Sequence, residues 1–290
     1  MIRIGLAGWG DQVLAMPPGI PAREKLRVYA AHFSVVEVDS SFYAVQPARN
    51  YAKWAEETPP DFAFVVKAYQ GMTGHLRGDN PFPGTAEMFA AFRESVEPLL
   101  QAGKLRLVLF QYPPWFDCRR ENVDKLRQAR ALLGDLPLAL EFRHQSWFAP
   151  EMRDRTLAFM RRERWAHGVC DEPQAGLGSV PIVLEASDDA VTLVRFHGRN
   201  VSGWNSGGSA NWRDVRYLYR YDEAELREWA QRLVQLQAMT KDIYVIFNNN
   251  SGGDAAGNAK QMMRILGQAV YEPPEEKRPP EPEQLDLFSP

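Results

Sequence analysis

Acidic, basic and amide side chains stand at the ends of short apolar runs in this chain, and hardly at all inside them. Glu37 and Asp39 close VVEVD, Lys67 closes FAFVVK, Gln111 closes LVLFQ, Glu141 and Arg143 close LALEFR, and Asp171 closes GVCD. Arg195 and His197 close TLVRFH, and Asn248, Asn249 and Asn250 follow IYVIF. Chemistry assigns them roles. His197 could exchange a proton near neutral pH, with Glu141 as the complementary acid or base if its surroundings raise its pKa and Glu37 as a further carboxylate of a catalytic set. Lys67 could bind an anion, or act as a Schiff-base amine if its own pKa is depressed. Arg143 and Arg195 would clamp a phosphate or carboxylate with their planar forks, while Gln111, Asn248 and Asn249 would orient hydroxyls or bases. Glu37, Asp39, His75, Asp171 and His197 are plausible ligand types for a divalent metal, but no HExxH or CxxC spacing concentrates them, so no motif signals the metal and the cofactor is unknown from sequence. Any one of these groups is ordinarily a solvated or ion-paired structural residue. Their convergence asks for elements that bring strand ends together.

Those elements are legible. Eight runs rich in β-branched residues, Ile2–Leu6, Val35–Val38, Phe62–Val66, Leu105–Phe110, Leu138–Phe142, Trp165–Val169, Val191–Phe196 and Ile243–Phe247, alternate with helix-like stretches. Most are continuously apolar, as expected of parallel strands covered on both faces. Between them, Leu26, Tyr29, Ala30 and Phe33 share one helical face, as do Met88, Phe89, Phe92, Val96 and Leu99. Asp222 with Glu225 reads as a capping box opening a helix whose stripe is Leu226, Trp229, Leu233 and Leu236. Eight alternations without a GxGxxG or a P-loop predict a (β/α)₈ barrel spanning residues 1–271 as one domain, with function on the loops after the strands. Pro181–Leu184 reads as a ninth strand or as loop. The segment Gly198–Tyr221, rich in Gly, Ser and Trp, is expected to cover the mouth as a lid.

Bulk properties narrow the function. The 290 residues carry a net charge of −3, so the whole protein lacks the basic excess that drives non-specific nucleic-acid binding. A basic run, Arg119, Arg120, Lys125, Arg127 and Arg130, could touch a nucleic-acid backbone, though a solvated helix face explains it as well. Cys118 and Cys170 have no metal-ligand spacing and suit a reducing compartment. No export signal and no membrane-spanning stretch are read, which places the protein in the cytoplasm. Trp9, Phe42, Tyr43, Tyr112, Trp115, Trp147, Trp204 and Trp212 flank the strand ends, where exposed rings could stack on bases or sugars.

IRIGLAGWG, HFSVVEVDSSFYAV, TPPDFAFVVKAYQGMTGH, LVLFQYPPWF, LALEFRHQSW, TLVRFHGRN, YRYDEAELREWA and IYVIFNNNSGGDAAGNA follow one another along the chain. In that order and spacing they resemble the YecE-like "domain of unknown function 72" family over nearly the whole barrel. The resemblance implies a TIM barrel and no particular reaction. Carried onto this sequence, it singles out Glu37, Phe42, Tyr43, Lys67, His75, Gln111, Glu141, Arg143, Trp147, Arg195, His197, Asn248, Asn249 and Asn258. Ala7 stands where the family more often has a serine or threonine before the glycine, here Gly8.

From residue 272 the chain becomes a Pro/Glu-rich tail, expected to be extended and solvated, ending in QLDLF. This end resembles the peptide by which bacterial replication and repair proteins dock on the DNA sliding clamp. Gln284 would hydrogen-bond in one pocket while Leu285, Leu287 and Phe288 fill apolar ones. Tethering would give a weakly acidic protein a high local concentration at DNA. The sequence therefore suggests a DNA repair or nucleotide-processing enzyme working at the barrel rim while held to the clamp. Two alternatives stand beside it: a lyase, isomerase or hydrolase acting on a phosphorylated or carboxylated small molecule, and a non-catalytic binding module.

Overall fold

All eight apolar runs pair edge to edge in chain order and close on themselves. In the computed structural model, which describes residues 1–10, 20–204 and 215–272, the strands are β1 Ile2–Ala7, β2 Val35–Val38, β3 Ala63–Lys67, β4 Leu105–Gln111, β5 Leu138–Glu141, β6 Trp165–Asp171, β7 Val191–Phe196 and β8 Asp242–Phe247. Every neighbouring pair is parallel, and β1 closes the barrel on β8 with Ile2 opposite Ile243 and Leu6 opposite Phe247.

Successive side chains of a strand point to opposite faces, so each strand feeds two cores. Outward residues such as Leu6, Val36, Val66, Phe110, Leu140 and Phe247 pack against the helices. Inward residues Val35, Ala63, Val65, Leu107, Leu109, Ala139, Ala166, Leu193, Tyr244 and Ile246 fill the barrel. Burial on both sides is why the strands read as unbroken apolar runs.

The helix Thr85–Gln101 buries the Met88, Phe89, Phe92, Val96 and Leu99 stripe, and Glu223–Gln237 buries Leu226, Trp229, Leu233 and Leu236. Asp222 and Glu225 form the reciprocal capping box. The helix Lys25–His32 sends Tyr29 between β1 and β2, where its hydroxyl accepts from Leu6 N at 2.8 Å and donates to Val35 O at 2.7 Å. Gly5 makes the close approach there possible, because a Cβ would stand 1.9 Å from Val35 O. Pro181–Leu184 is loop and forms no strand; it packs beside β6, with His167 Nε2 donating to Val183 O at 3.2 Å. Among the described residues no helix is long and apolar enough to cross a membrane.

Candidate functional site at the barrel mouth

The two-residue alternation that fills the barrel with Val35, Val65, Leu109, Ala139, Leu193 and Ile246 carries on at the C-terminal ends with polar residues: Glu37, Lys67, Gln111, Glu141, Arg195 and Asn248. One further step along the chain, just past the strand ends, lie Arg143, Glu172 and His197. The result is a polar layer seated on an apolar plug.

Arg195 is the hub. Its Nε and Nη2 donate to the two oxygens of Glu37 at 2.8 and 2.7 Å, and Nη1 donates to Glu141 Oε2 at 2.8 Å and Gln111 Oε1 at 3.2 Å. Arg143 donates from Nε to Glu141 Oε1 at 2.6 Å and from Nη1 to Glu172 Oε2 at 2.6 Å. Glu172 Oε1 in turn accepts from Val180 N at 2.7 Å. Glu37, Glu141, Arg143, Glu172 and Arg195 are all buried. Burial alone would raise the carboxyl of Glu141, but Arg143 and Arg195 outweigh it and hold the group well below the usual carboxylate range. Glu172 goes the other way, as burial outweighs Arg143 and lifts it to about 7.

His197 is fully buried, and Arg143 Nη2 lies 2.8 Å from its Nε2. A guanidinium can only donate, so Nε2 carries a lone pair and the ring proton sits on Nδ1, facing the Asn248 amide at 3.1 Å. That contact requires the amide to present its oxygen, an orientation fixed by the network. The longer 3.4 Å approach of Nε2 to Glu141 Oε1 is then an electrostatic neighbour and no hydrogen bond. Burial and then the Arg143 charge push the imidazole well below its ordinary pKa, so it is neutral.

Above this layer stand the groups that solvent reaches. Lys67 Nζ pairs with Asp39 Oδ1 at 2.9 Å and lies 4.6 Å above the Phe42 ring. Burial lowers the Lys67 pKa, but Asp39 more than restores it, and the amine stays above its ordinary value. Phe42 meets Tyr43 at 5.3 Å and His75 at 5.1 Å, and His75 meets Trp115 at 5.9 Å, a continuous wall along the β2 to β4 side. Tyr43 and Trp115 are exposed. His75 is neutral, lowered to about 4 by burial and by the Lys67 and Arg143 charges, and its Nδ1 lies 2.8 Å from Thr73 Oγ1. On the opposite side Trp204 and Tyr217 lie 6.3 and 6.0 Å from the His197 ring, and Trp204 lies between Arg143 and Arg216 at 5.2 and 4.1 Å. These described parts of segment 198–221 lie over the mouth; residues 205–214, with Trp212, lie outside the described residues.

Several expected roles change. Arg143 and Arg195 spend their forks on Glu37, Glu141 and Glu172 and so are not arranged as a substrate clamp. Glu141 and His197 are buried in this layer and hydrogen-bonded to the two arginines, and Glu37 is held likewise by Arg195. A Schiff-base role does not suit Lys67, whose amine is charged. Trp147 is core, stacked 4.0 Å from Phe142 with Nε1 donating to Phe116 O at 2.7 Å. Asn249 and Asn258 are buried and tie the backbone of Tyr219 and Tyr221 to the loop after β8. The metal-type residues are dispersed: Asp39 is on Lys67, Glu37 on Arg195, and Asp171 points outward to Arg199 at 3.0 Å. The one trio among the described residues is Glu141, Cys170 and His197, with donor atoms within 4.8 Å. Two guanidinium groups already occupy that carboxylate, and burial pushes the Cys170 thiol up, so the set does not fit a cation. The basic run is largely engaged within the protein: Arg119 with Asp117, Arg127 with Asp124, and Arg130 with backbone carbonyls. Glu172 escaped the sequence reading, although it is two residues past the inward Cys170. Gln284, Leu285, Leu287 and Phe288 lie outside the described residues.

Known proteins share this architecture. The chain is 56% identical over 289 residues to the UPF0759 protein YunF of Bacillus subtilis, covering 99% of this chain and 100% of that one. It is 27% identical over 165 residues to the UPF0759 protein YecE of Escherichia coli K12, 54% of each chain. A solved DUF72 family protein from Enterococcus faecalis V583 superposes with a TM-score of 0.87 at 35% identity, covering 93% of this chain and 97% of that one. One from Thermotoga maritima MSB8 gives 0.78 at 31% identity, covering 92% and 100%. The model of the family "Protein of unknown function DUF72" matches residues 3–284, and the chain belongs to that family.

Proposed function

We propose that the barrel mouth binds a phosphorylated molecule carrying a flat ring, of nucleotide size, and that the protein is a cytoplasmic nucleotide-processing or DNA-repair factor held to the sliding clamp by its C-terminal peptide. The observation that carries the first half is the juxtaposition of the Lys67 ammonium with the Phe42, His75 and Trp115 wall. A cation beside edge-on rings, with Asp39 as its present counter-ion, suits an anionic group and a π-face on one ligand. Gln111 and Asn248 are half-buried in the polar layer, against Arg195 and His197, and supply amides for hydroxyls or base edges. The buried Glu37, Arg195, Glu141 and Arg143 network holds these groups in place, as preorganised sites require. His75, neutral and partly accessible, is the group with a lone pair to offer a ligand. The second half rests on Gln284, Leu285, Leu287 and Phe288 in the QLDLF peptide.

Calorimetric titration of the full chain with nucleoside monophosphates and sugar phosphates tests the mouth. Binding should weaken about 10- to 100-fold in Lys67→Met, the loss of one charge-assisted hydrogen bond, and also fall in Tyr43→Ala. Absence of binding by the whole panel, or affinity indifferent to both substitutions, overturns the reading. A parallel titration with purified bacterial sliding clamp should give micromolar binding that Gln284→Ala/Leu287→Ala/Phe288→Ala removes. If the intact chain fails to bind the clamp, the tether and its DNA context fall while the mouth remains to be judged on its own ligands.

A further inference from the structure

A cleft of about 530 Å³ opens outside the barrel, between the helices Thr85–Gln101 and Arg120–Leu133 and beside the loops that follow β3 and β4. Its volume is that of an ordinary small-molecule site. Tyr112 lies one residue beyond the inward Gln111 and so faces this outer layer, with its ring stacked on Phe116 at 3.9 Å. Met72, Met88 and Phe89 complete an apolar floor. Gly71 keeps that floor low, since a Cβ there would stand 2.7 Å from Met88 Sδ.

Two features of this cleft are unspent. Tyr112 is only 3% exposed and lines it, yet its hydroxyl makes no hydrogen bond among the described residues; burial alone pushes its pKa up. The ring is buried, and the hydroxyl is open to the cleft with its hydrogen-bonding capacity free for a ligand. At the lip, Lys125 forms no ion pair among the described residues, its Nζ donating only to Asn122 Oδ1 at 3.1 Å. Both flanking helices begin there, on Gly84 and Arg119, without a side-chain cap, which leaves backbone N–H groups at the opening, with Glu87 and Glu121 in the first turns offsetting part of the helix-end potential. Of the nearby acids, Asp117 is taken by Arg119 at 2.7 Å, and Glu121 is exposed at the lip.

We infer that this cleft binds an aromatic acid, distinct from the ligand of the mouth. The fused or single ring lies on Met72, Met88 and Phe89, a polar ring substituent meets the Tyr112 hydroxyl, and the acidic group sits at Lys125 and the helix ends. Trp115 stands between cleft and mouth, touching His75 on one side and lining the cleft on the other. The inference does not depend on what the mouth binds.

The test is calorimetric titration of the full chain with 6-hydroxy-2-naphthoate. Saturable binding is expected, weakened about five-fold by Tyr112→Phe and about ten-fold by Lys125→Met, abolished by Met88→Trp, and unchanged by Lys67→Met. The methyl ester should bind about ten-fold more weakly than the acid. No binding by the folded wild-type chain overturns the proposal, as does binding that Tyr112→Phe and Lys125→Met leave untouched. Loss of binding in Lys67→Met would assign the probe to the mouth and equally overturn it.

Discussion

Replacing Arg195 by methionine should destabilise the protein severely and in a pH-dependent way. Methionine keeps much of the length of the side chain but removes five hydrogen bonds, two to Glu37 and one each to Glu141, Gln111 and His197. Glu141 retains Arg143, whereas Glu37, fully buried, loses both of its side-chain hydrogen bonds, which come from Arg195 alone. Stranding one member of a buried pair costs about 3–5 kcal/mol, against a total stability of roughly 5–15 kcal/mol. For a barrel of this size that corresponds to a fall in Tm of about 6–20 °C. Burial already raises the Glu37 pKa in the presence of Arg195, and losing the guanidinium raises it further. A carboxyl with a raised folded-state pKa binds more protons folded than unfolded, so its stabilisation is present at low pH and is lost as pH rises through the folded value. The penalty of Arg195→Met should therefore be larger at pH 8 than at pH 5. Glu37→Gln/Arg195→Met should recover most of it, because the double variant leaves no buried charge unpaired there. Thermal and guanidinium unfolding at the two pH values measure this. A single variant within about 1 kcal/mol of wild type, or a double variant no better than the single, would refute the account of Arg195 as hub.

Glu172, lifted to about 7 by burial, should make wild-type stability fall between about pH 4.5 and 7 by up to about 3 kcal/mol, the folded state holding the proton that the unfolded chain releases. Glu172→Gln should flatten that slope in unfolding curves at pH 5 and 8, and an unchanged slope would exclude Glu172 as its source. His75, lowered to about 4, should stay unprotonated at pH 6 in an imidazole NMR titration, while His75 titrating near 6.5 would place it in open solvent. Asp222→Ala removes the capping box of helix Glu223–Gln237 and should cost about 0.5–2 kcal/mol in the same unfolding assay.

The inward set was legible wherever strand alternation could be applied. Glu141 and Arg143, and Arg195 and His197, are each two residues apart at a strand end, and both members of each pair enter the polar layer. The same step applied from Cys170 reaches Glu172, while Asp171, on which the apolar run ends by composition, has the opposite parity and turns outward to Arg199. Trp147, Asn249 and Asn258 were legible as residues of the family pattern, but nothing local distinguishes an aromatic or amide that packs from one that meets a ligand. Their burial decides it.

The sequence by itself determined the eight-stranded barrel, because apolar periodicity, capping chemistry and the absence of a nucleotide-binding turn are local or near-local signals. It also determined which residue types crowd the strand ends. Only the tertiary structure decided how their charges are spent. Glu37 and Arg195 are 158 residues apart and Glu141 and Arg195 are 54 apart, yet their pairing turns an apparent anion clamp into a buried, largely self-neutralised scaffold and leaves Lys67 facing the opening. Ion pairing across a closed barrel depends on which strands face one another through its interior, and no spacing along the chain encodes that distance.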